Sequence, residues 1–156
     1  MSGIQAAVIM GSSSDKKVMD SCLEYLEYFG ISYESKVISA HRNPDELDAY
    51  INQIKTNCTE VIIAGAGMAA ALPGVIASKV IIPVIGVPID SSSLSGTDAL
   101  YSIVQMPPGI PVATVAIGPA GAKNAAVLAL QILALNDSTL KNKLKEFRRM
   151  GSKLKK

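Results

Sequence analysis

The chain holds one histidine, and its neighbours make it a candidate for proton transfer. His41 lies in the run Ser39-Ala40-His41-Arg42, which sets a hydroxyl, an imidazole and a permanently charged guanidinium side by side. A free imidazole titrates at about pH 6.5, so it can give and take a proton near neutrality without a cofactor. Arg42 offers the forked donors that suit a phosphate. A second run, Gly11-Ser12-Ser13-Ser14-Asp15, places a flexible glycine and three hydroxyls just before a helical pattern, where unpaired amides and the helix dipole attract an anion. It lacks the lysine of a P-loop and the G-x-G-x-x-G of a dinucleotide fold, so an ordinary serine-rich turn with an Asp cap explains it as well.

Three further segments belong with these. Gly65, Gly67, Ala69, Ala70 and Ala71 strip side chains from one stretch, which either lets a ligand ring approach the backbone or lets a helix pack tightly on a sheet. Ser91 to Gly96 and Gly118 to Asn124 are small polar loops able to close over a substrate. Met106-Pro107-Pro108-Gly109 is rigid and apolar, suited to a wall or an intersubunit contact. No acid-histidine-nucleophile triad is readable. Cys22 and Cys58 stand apart, with no metal-ligand spacing, so neither a zinc site nor a disulfide framework is expected. The residues point to a small phosphorylated ligand and proton transfer, and they name no reaction.

The elements that position these residues follow from periodicity. Residues 6–10 are a short apolar run ending at Gly11, the pattern of a buried strand meeting a turn. Val18, Met19, Cys22, Leu23, Leu26 and Phe29 share one helical face, with Asp15 to cap its start and Gly30 to end it in a left-handed turn. The unit recurs: residues 31–38 read as a strand, and Asn43-Pro44-x-Glu46 reads as a cap, first-turn proline and capping-box partner for a helix to Thr56. Further strands are expected over 60–64, 81–87 and 112–117, followed by the loops GAGMAA, PIDSSSLSGTD and GPAGAKN. Strands alternating with helices imply right-handed crossovers and a five-stranded parallel sheet, a flavodoxin-like three-layer sandwich of the α/β class. In such a sheet every strand-to-helix loop opens on one edge, so the candidate segments should converge.

Composition bounds the rest. With 156 residues, 49% hydrophobic and 18% charged, one domain over 1–156 is expected, with little surface left for solvent, as in a homo-oligomer. The net charge of +2 hides an asymmetry: residues 137–156 carry eight Lys/Arg against Asp137 and Glu146, and residues 1–136 carry seven against eleven. Leu140, Leu144, Phe147 and Leu154 recur near helical spacing in that basic segment, which favours a docked amphipathic carboxy-terminal helix over a nucleic-acid-binding tail. No basic leader precedes an apolar run, and the long apolar stretches are broken by Pro, Gly and Lys, so a cytoplasmic chain with no membrane span is expected.

Taken together, MGSSSD at 10–15, SAHRNP at 39–44, AGAGMAAALPG at 64–74, PVIGVP at 83–88 and LSGTDALYSIVQMPPGIPVATVAIGPAGAKNAA at 94–126 resemble the class I PurE family over nearly the whole chain. The resemblance implies a mutase that converts N5-carboxyaminoimidazole ribonucleotide to 4-carboxy-5-aminoimidazole ribonucleotide in purine synthesis. It implies a homo-octamer, no metal and no organic cofactor, and it leaves open a functional coupling to the ATP-dependent enzyme that forms the carbamate. By the same resemblance His41 is the proton carrier, Gly11, Ser12, Ser14 and Asp15 meet the substrate, and Ser39 and Arg42 grip the phosphate. Gly67, Met68 and Leu72 lie beside the base, and the loops from Ser91 and Gly118 shield a trapped carbon dioxide. The related class II pattern, a direct aminoimidazole ribonucleotide carboxylase, has Lys after SAH and AGRSN in the third loop; Arg42 and AGAGM favour the mutase. Two positions depart from the family's pattern: Lys16 stands where it has Trp, and Ala71 where it has His. The second departure implies slower or altered turnover, or a ribonucleotide-binding relative without full activity.

Overall fold

The computed structural model describes residues 3–154. Five strands form one parallel sheet: β1 (Ala6–Met10), β2 (Tyr33–Val37), β3 (Val61–Gly67), β4 (Val84–Ile89) and β5 (Ala113–Thr114), in the order β2-β1-β3-β4-β5. The helices are α1 (Lys16–Phe29), α2 (Pro44–Thr56), α3 (Leu72–Ala77), α4 (Thr97–Val104), α5 (Pro119–Leu133) and α6 (Ser138–Arg149). A 3-10 turn, Ser13–Asp15, precedes α1.

The central strands are apolar on both sides because helices cover both faces of the sheet. Their alternate residues sort cleanly: Ala6, Val8 and Met10 of β1, with Val61 and Ile63 of β3, face a core closed by α1, α5 and α6. Ala7 and Ile9, with Ile62, Ala64 and Ala66, face the opposite core under α2, α3 and α4. The flavodoxin-like three-layer sandwich expected from the sequence is therefore what forms. β2 is the exception in composition, with Glu34, Ser35 and Lys36 in an edge strand, where charge discourages pairing with another chain.

Several boundaries differ from the sequence reading, each for a local reason. β3 runs on through Gly65 and Gly67, which pair with Val87 and Ile89 of β4, so both glycines are strand residues and not loop. β4 begins only after Pro83, leaving Ile81 fully exposed and outside the sheet. β5 shrinks from the expected 112–117 to two residues, because beyond Gly86 the chain follows β4 by single bonds, Val115 N–H to Gly86 O (3.1 Å) and Gly118 N–H to Pro88 O (2.9 Å). The segment 119–124, expected as a loop, is the first turns of α5, with Pro119 at its start where a missing amide costs nothing.

The caps also regroup. Gly30 does end α1 in the left-handed region, at φ 69°. Asp15 makes no side-chain bond to α1 and instead closes a capping box with Ser12. Asn43 stands before α2 without a side-chain cap bond, so the capping box with Glu46 does not form. The basic segment folds as α6, capped by Asp137 on the Thr139 and Leu140 amides at 2.8 and 3.1 Å. The expected helix over 137–156 thus ends at Arg149, and residues 155 and 156 lie outside the described residues.

Phe147 anchors α6 edge-on against Phe29 and Tyr25, with ring centroids 5.1 and 6.1 Å apart, and is 2% exposed. Lys143 adds a 2.6 Å bond to the Phe29 carbonyl at the end of α1. Phe147→Ala should therefore cost about 3–5 kcal/mol of folding stability, measured by urea unfolding.

Candidate functional site

The strand order reverses between β1 and β3, so the loops leaving their carboxyl ends turn toward opposite faces and leave a crevice between them. A cleft of about 440 Å³ opens there. The β1 loop supplies Gly11, Ser12, Ser14 and Asp15, and the β2 loop supplies Ser39, His41 and Arg42. From the end of β3 and the start of α3 come Gly67, Met68 and Leu72. Every residue to which the family resemblance gave a substrate contact or the proton thus lines one cavity. Ala40 and Ala66 line it as well without having been singled out, since neither carries a group that announces itself. Ala69, Ala70 and Ala71 complete the apolar wall, so the departure at position 71 falls inside the cleft.

Of the two loops read as flaps, only Ser91 reaches the cavity. The Gly118 segment is absent from the cavity lining because it is drawn down beside Asp90 and then enters α5. Met106, half-buried, lays its sulfur against Gly74 of α3.

Local geometry explains the β1 loop. Ser12 accepts from the Ser14 amide at 3.3 Å and the Ser14 hydroxyl at 2.9 Å, while the Asp15 carboxylate accepts from the Ser12 amide at 2.9 Å. The loop is therefore pre-folded by its own side chains. Asp15 is 3% exposed, and burial pushes its carboxyl above the ordinary value of 3.8, against the opposing pull of the Ser12 amide bond and the nearby polar groups of Gly11 and Ser14. Gly11 is not held by space or by backbone: a Cβ there would meet nothing closer than 3.6 Å, and its φ is not positive. Bareness at that position therefore answers to no requirement of the folded chain itself.

In the β2 loop the Ser39 hydroxyl accepts the Arg42 amide at 3.2 Å, and the Asn43 amide donates to the Ser39 carbonyl at 2.9 Å. This tight turn holds the backbone while leaving the His41 and Arg42 side chains exposed and unengaged by one another. The two explanations offered for the small residues of β3 divide between them. Gly65 serves packing, since a Cβ there would stand 2.5 Å from Met19 Sδ of α1. Gly67 serves the cleft, where a Cβ would collide with Ser91 Oγ. Met68 follows at φ 55°, a conformation costly for a residue with a side chain and concentrated at functional sites. No group of three or more His, Cys, Asp or Glu side chains gathers among the described residues.

The arrangement offers hydroxyls and a guanidinium for an anion, an exposed imidazole for a proton, and an apolar wall for a ring. Asp15 carries a desolvation penalty whenever it is ionised. Asp15→Asn should therefore raise the melting temperature slightly at neutral pH, and the advantage should disappear as pH falls below about 3.8, where the carboxyl is neutral folded or unfolded. Thermal melts of both proteins across pH 3–8 check the sign.

Comparison with known proteins agrees with this geometry. Residues 5–153 match the family model described as AIR carboxylase. A protein of Haemophilus influenzae named N5-carboxyaminoimidazole ribonucleotide mutase is 55% identical over 144 residues, covering 92% of this chain and 88% of its own. Mutases of that name from Escherichia coli strain K12 and Pyrococcus abyssi are 52% and 57% identical, over 93% and 92% of this chain and 86% and 82% of theirs. The crystal structure of Treponema denticola PurE superposes with a TM-score of 0.86 at 30% identity, covering 94% of this chain and 90% of that one.

Proposed function

The chain belongs to the AIR carboxylase family, and we propose that it is an N5-carboxyaminoimidazole ribonucleotide mutase of purine biosynthesis, an isomerase. The observation that carries this reading is the convergence of His41, Arg42, Ser39 and the β1 hydroxyls on one cleft at the strand-order switch. Arg42, Ser39, Ser12 and Ser14 take the phosphate, Asp15 the ribose hydroxyls, and the bare wall at Gly67, Met68 and Leu72 the heterocycle. Asp15 already stiffens its own loop through the Ser12 amide, and ribose hydroxyls would supply further donors that favour its ionised form.

The reaction moves a carboxylate from nitrogen to carbon. His41, as imidazolium, protonates the exocyclic nitrogen while the N–C bond to the carboxylate breaks, releasing carbon dioxide. The electron-rich C4 of the ring then forms a bond to that carbon dioxide, and neutral His41 removes the C4 proton to restore aromaticity. One imidazole gives and regains one proton, so nothing is consumed. Escape of the gas is the competing loss, and a covered site suppresses it.

We propose further that the chain works as a homo-octamer. Supporting this, Ile81 before β4, Leu94 after it, and Tyr101 and Val104 on α4 are large apolar side chains exposed in the single chain, which association would bury. Light scattering of the purified protein should give a multimer; a monomer would dismiss this part.

His41→Asn should keep ribonucleotide binding and lose a factor of roughly 10²–10⁴ in kcat, since the polar side chain remains while its useful proton does not. Unchanged turnover in that variant would sink the mechanism. Supplying the carbamate substrate and, separately, aminoimidazole ribonucleotide with bicarbonate separates the mutase from a direct carboxylase. Ala71→His is expected to raise kcat, measured beside the unmodified chain. An unmodified chain that binds without turnover, rescued by that substitution, would instead mark it as a binding protein lacking one proton-moving group.

A further inference from the structure

We propose that Ser91 is a specificity residue, whose hydroxyl bonds the polar substituents of the substrate's heterocycle at the end of the cleft remote from the phosphate grip. The inference rests on the mutase reading and deepens it by assigning a residue that neither the relatives' names nor the sequence pattern identifies as a substrate contact.

The cleft crosses four strands. With neighbouring strands about 4.8 Å apart, the way from the β2 loop to the β4 loop is three spacings, roughly 14 Å. The groups that attract an anion, Arg42, Ser39, Ser12 and Ser14, all follow β1 or β2. The stretch after β3 contributes an almost wholly apolar wall. The next polar side chain in that direction is Ser91, after β4. A phosphate held at one end therefore sends the heterocycle across the β3 wall toward Ser91, with His41 on the near side.

The sequence clears a place for this hydroxyl. An ideal Cβ on Gly67 would stand 1.8 Å from Ser91 Oγ and 3.0 Å from Ser91 Cβ, so Ser91 occupies the volume a side chain at 67 would need. Gly67 does not have a positive φ, so glycine is required there for closeness and not for backbone freedom. The Ser12 and Ser39 hydroxyls already accept bonds from their own loops. Ser91 is anchored through its backbone amide to the Ile89 carbonyl at 3.0 Å, while its hydroxyl engages no protein partner among the described residues. A heterocycle bearing an amine and a carboxylate loses water on entering the cleft, and each such group left unpaired is costly. Ser91 Oγ both donates and accepts, and serves either one.

Three measurements decide it. Ser91→Ala should lower kcat/KM by about tenfold, mainly through KM, with the melting temperature unchanged. The same variant should bind ribose 5-phosphate, which lacks the heterocycle, as the unmodified protein does. Gly67→Ala should lose both stability and turnover, and Gly67→Ala with Ser91→Gly should recover the melting temperature without recovering kcat/KM. Unchanged kcat/KM in Ser91→Ala would overturn the proposal. So would an equal loss of ribose 5-phosphate binding, which would mean that Ser91 merely shapes the cleft. Should the unmodified protein not turn over, the mutase reading fails on its own account. Calorimetry of 4-carboxy-5-aminoimidazole ribonucleotide against ribose 5-phosphate then still tests Ser91: selective loss of the ribonucleotide supports it, and parallel behaviour refutes it.

Discussion

Parallel pairing of β1 with β2 on one side and β3 on the other is the constraint from which the site follows. Parallel neighbours need crossovers, right-handed crossovers fix which face each helix covers, and reversing direction at β1 sends α1 to one face and α2 to the other. The loops at that point cannot pack over each other, so a crevice is left without being carved. Its floor is the end of β3, where Gly65 pairs across from Met10 in strict register. A slip of one residue would exchange the two cores and carry Gly67 away from Ser91.

The same constraint sets the cost of the site. Both faces of the central strands are consumed by the core, so the chemistry must be borne by loops, and a loop must be stiffened by bonds of its own. The Ser12–Asp15 box and the Ser39 turn do this with short polar side chains. Stiffening the first loop buries a carboxylate, which burial alone disfavours. Met68 in the left-handed region is a second local expense, set just before α3, whose Leu72 and Ile76 are buried in the core. Local rules broken together at one strand edge are the mark of a place selected for something other than stability.

The order and type of the elements were legible in the sequence, because apolar runs of period suited to buried strands alternate with amphipathic stretches such as 16–29. Their edges were less so. Proline misleads in the fourth strand: Ile81 and Ile82 look like strand residues, but the ladder begins only after Pro83, leaving Ile81 exposed while Ile82 packs half-buried against the core outside the strand. Glycine misleads in the third, where Gly65 and Gly67 read as loop and are strand, because tight packing under Met19 and Ser91 is a tertiary fact with no local signature. The candidate residues meet in one cleft all the same, since loops after parallel strands must share an edge whatever their boundaries. What no pattern could supply was the contrast between Gly118, drawn away beside Asp90, and Ser91, held over Gly67.

Exposure at the rim bears on how such a site could hold a gas. His41, Arg42 and Met68 all face solvent in the single chain, although in the mechanism proposed above a released carbon dioxide has to meet ring carbon before it meets water. The chain's own loops offer little more cover: the Gly118 segment is committed to α5, and Met106 is committed to α3. Flexible closure would have to come from residues 91–96, yet Ser95 and Gly96 hold fixed left-handed turns and Ser92 caps the Leu94 amide. Leu94 and Tyr101, exposed in the single chain, are apolar side chains that the proposed association would cover. Under the association proposed above, burial of exposed apolar area and containment of the gas would be served by the same contact between chains.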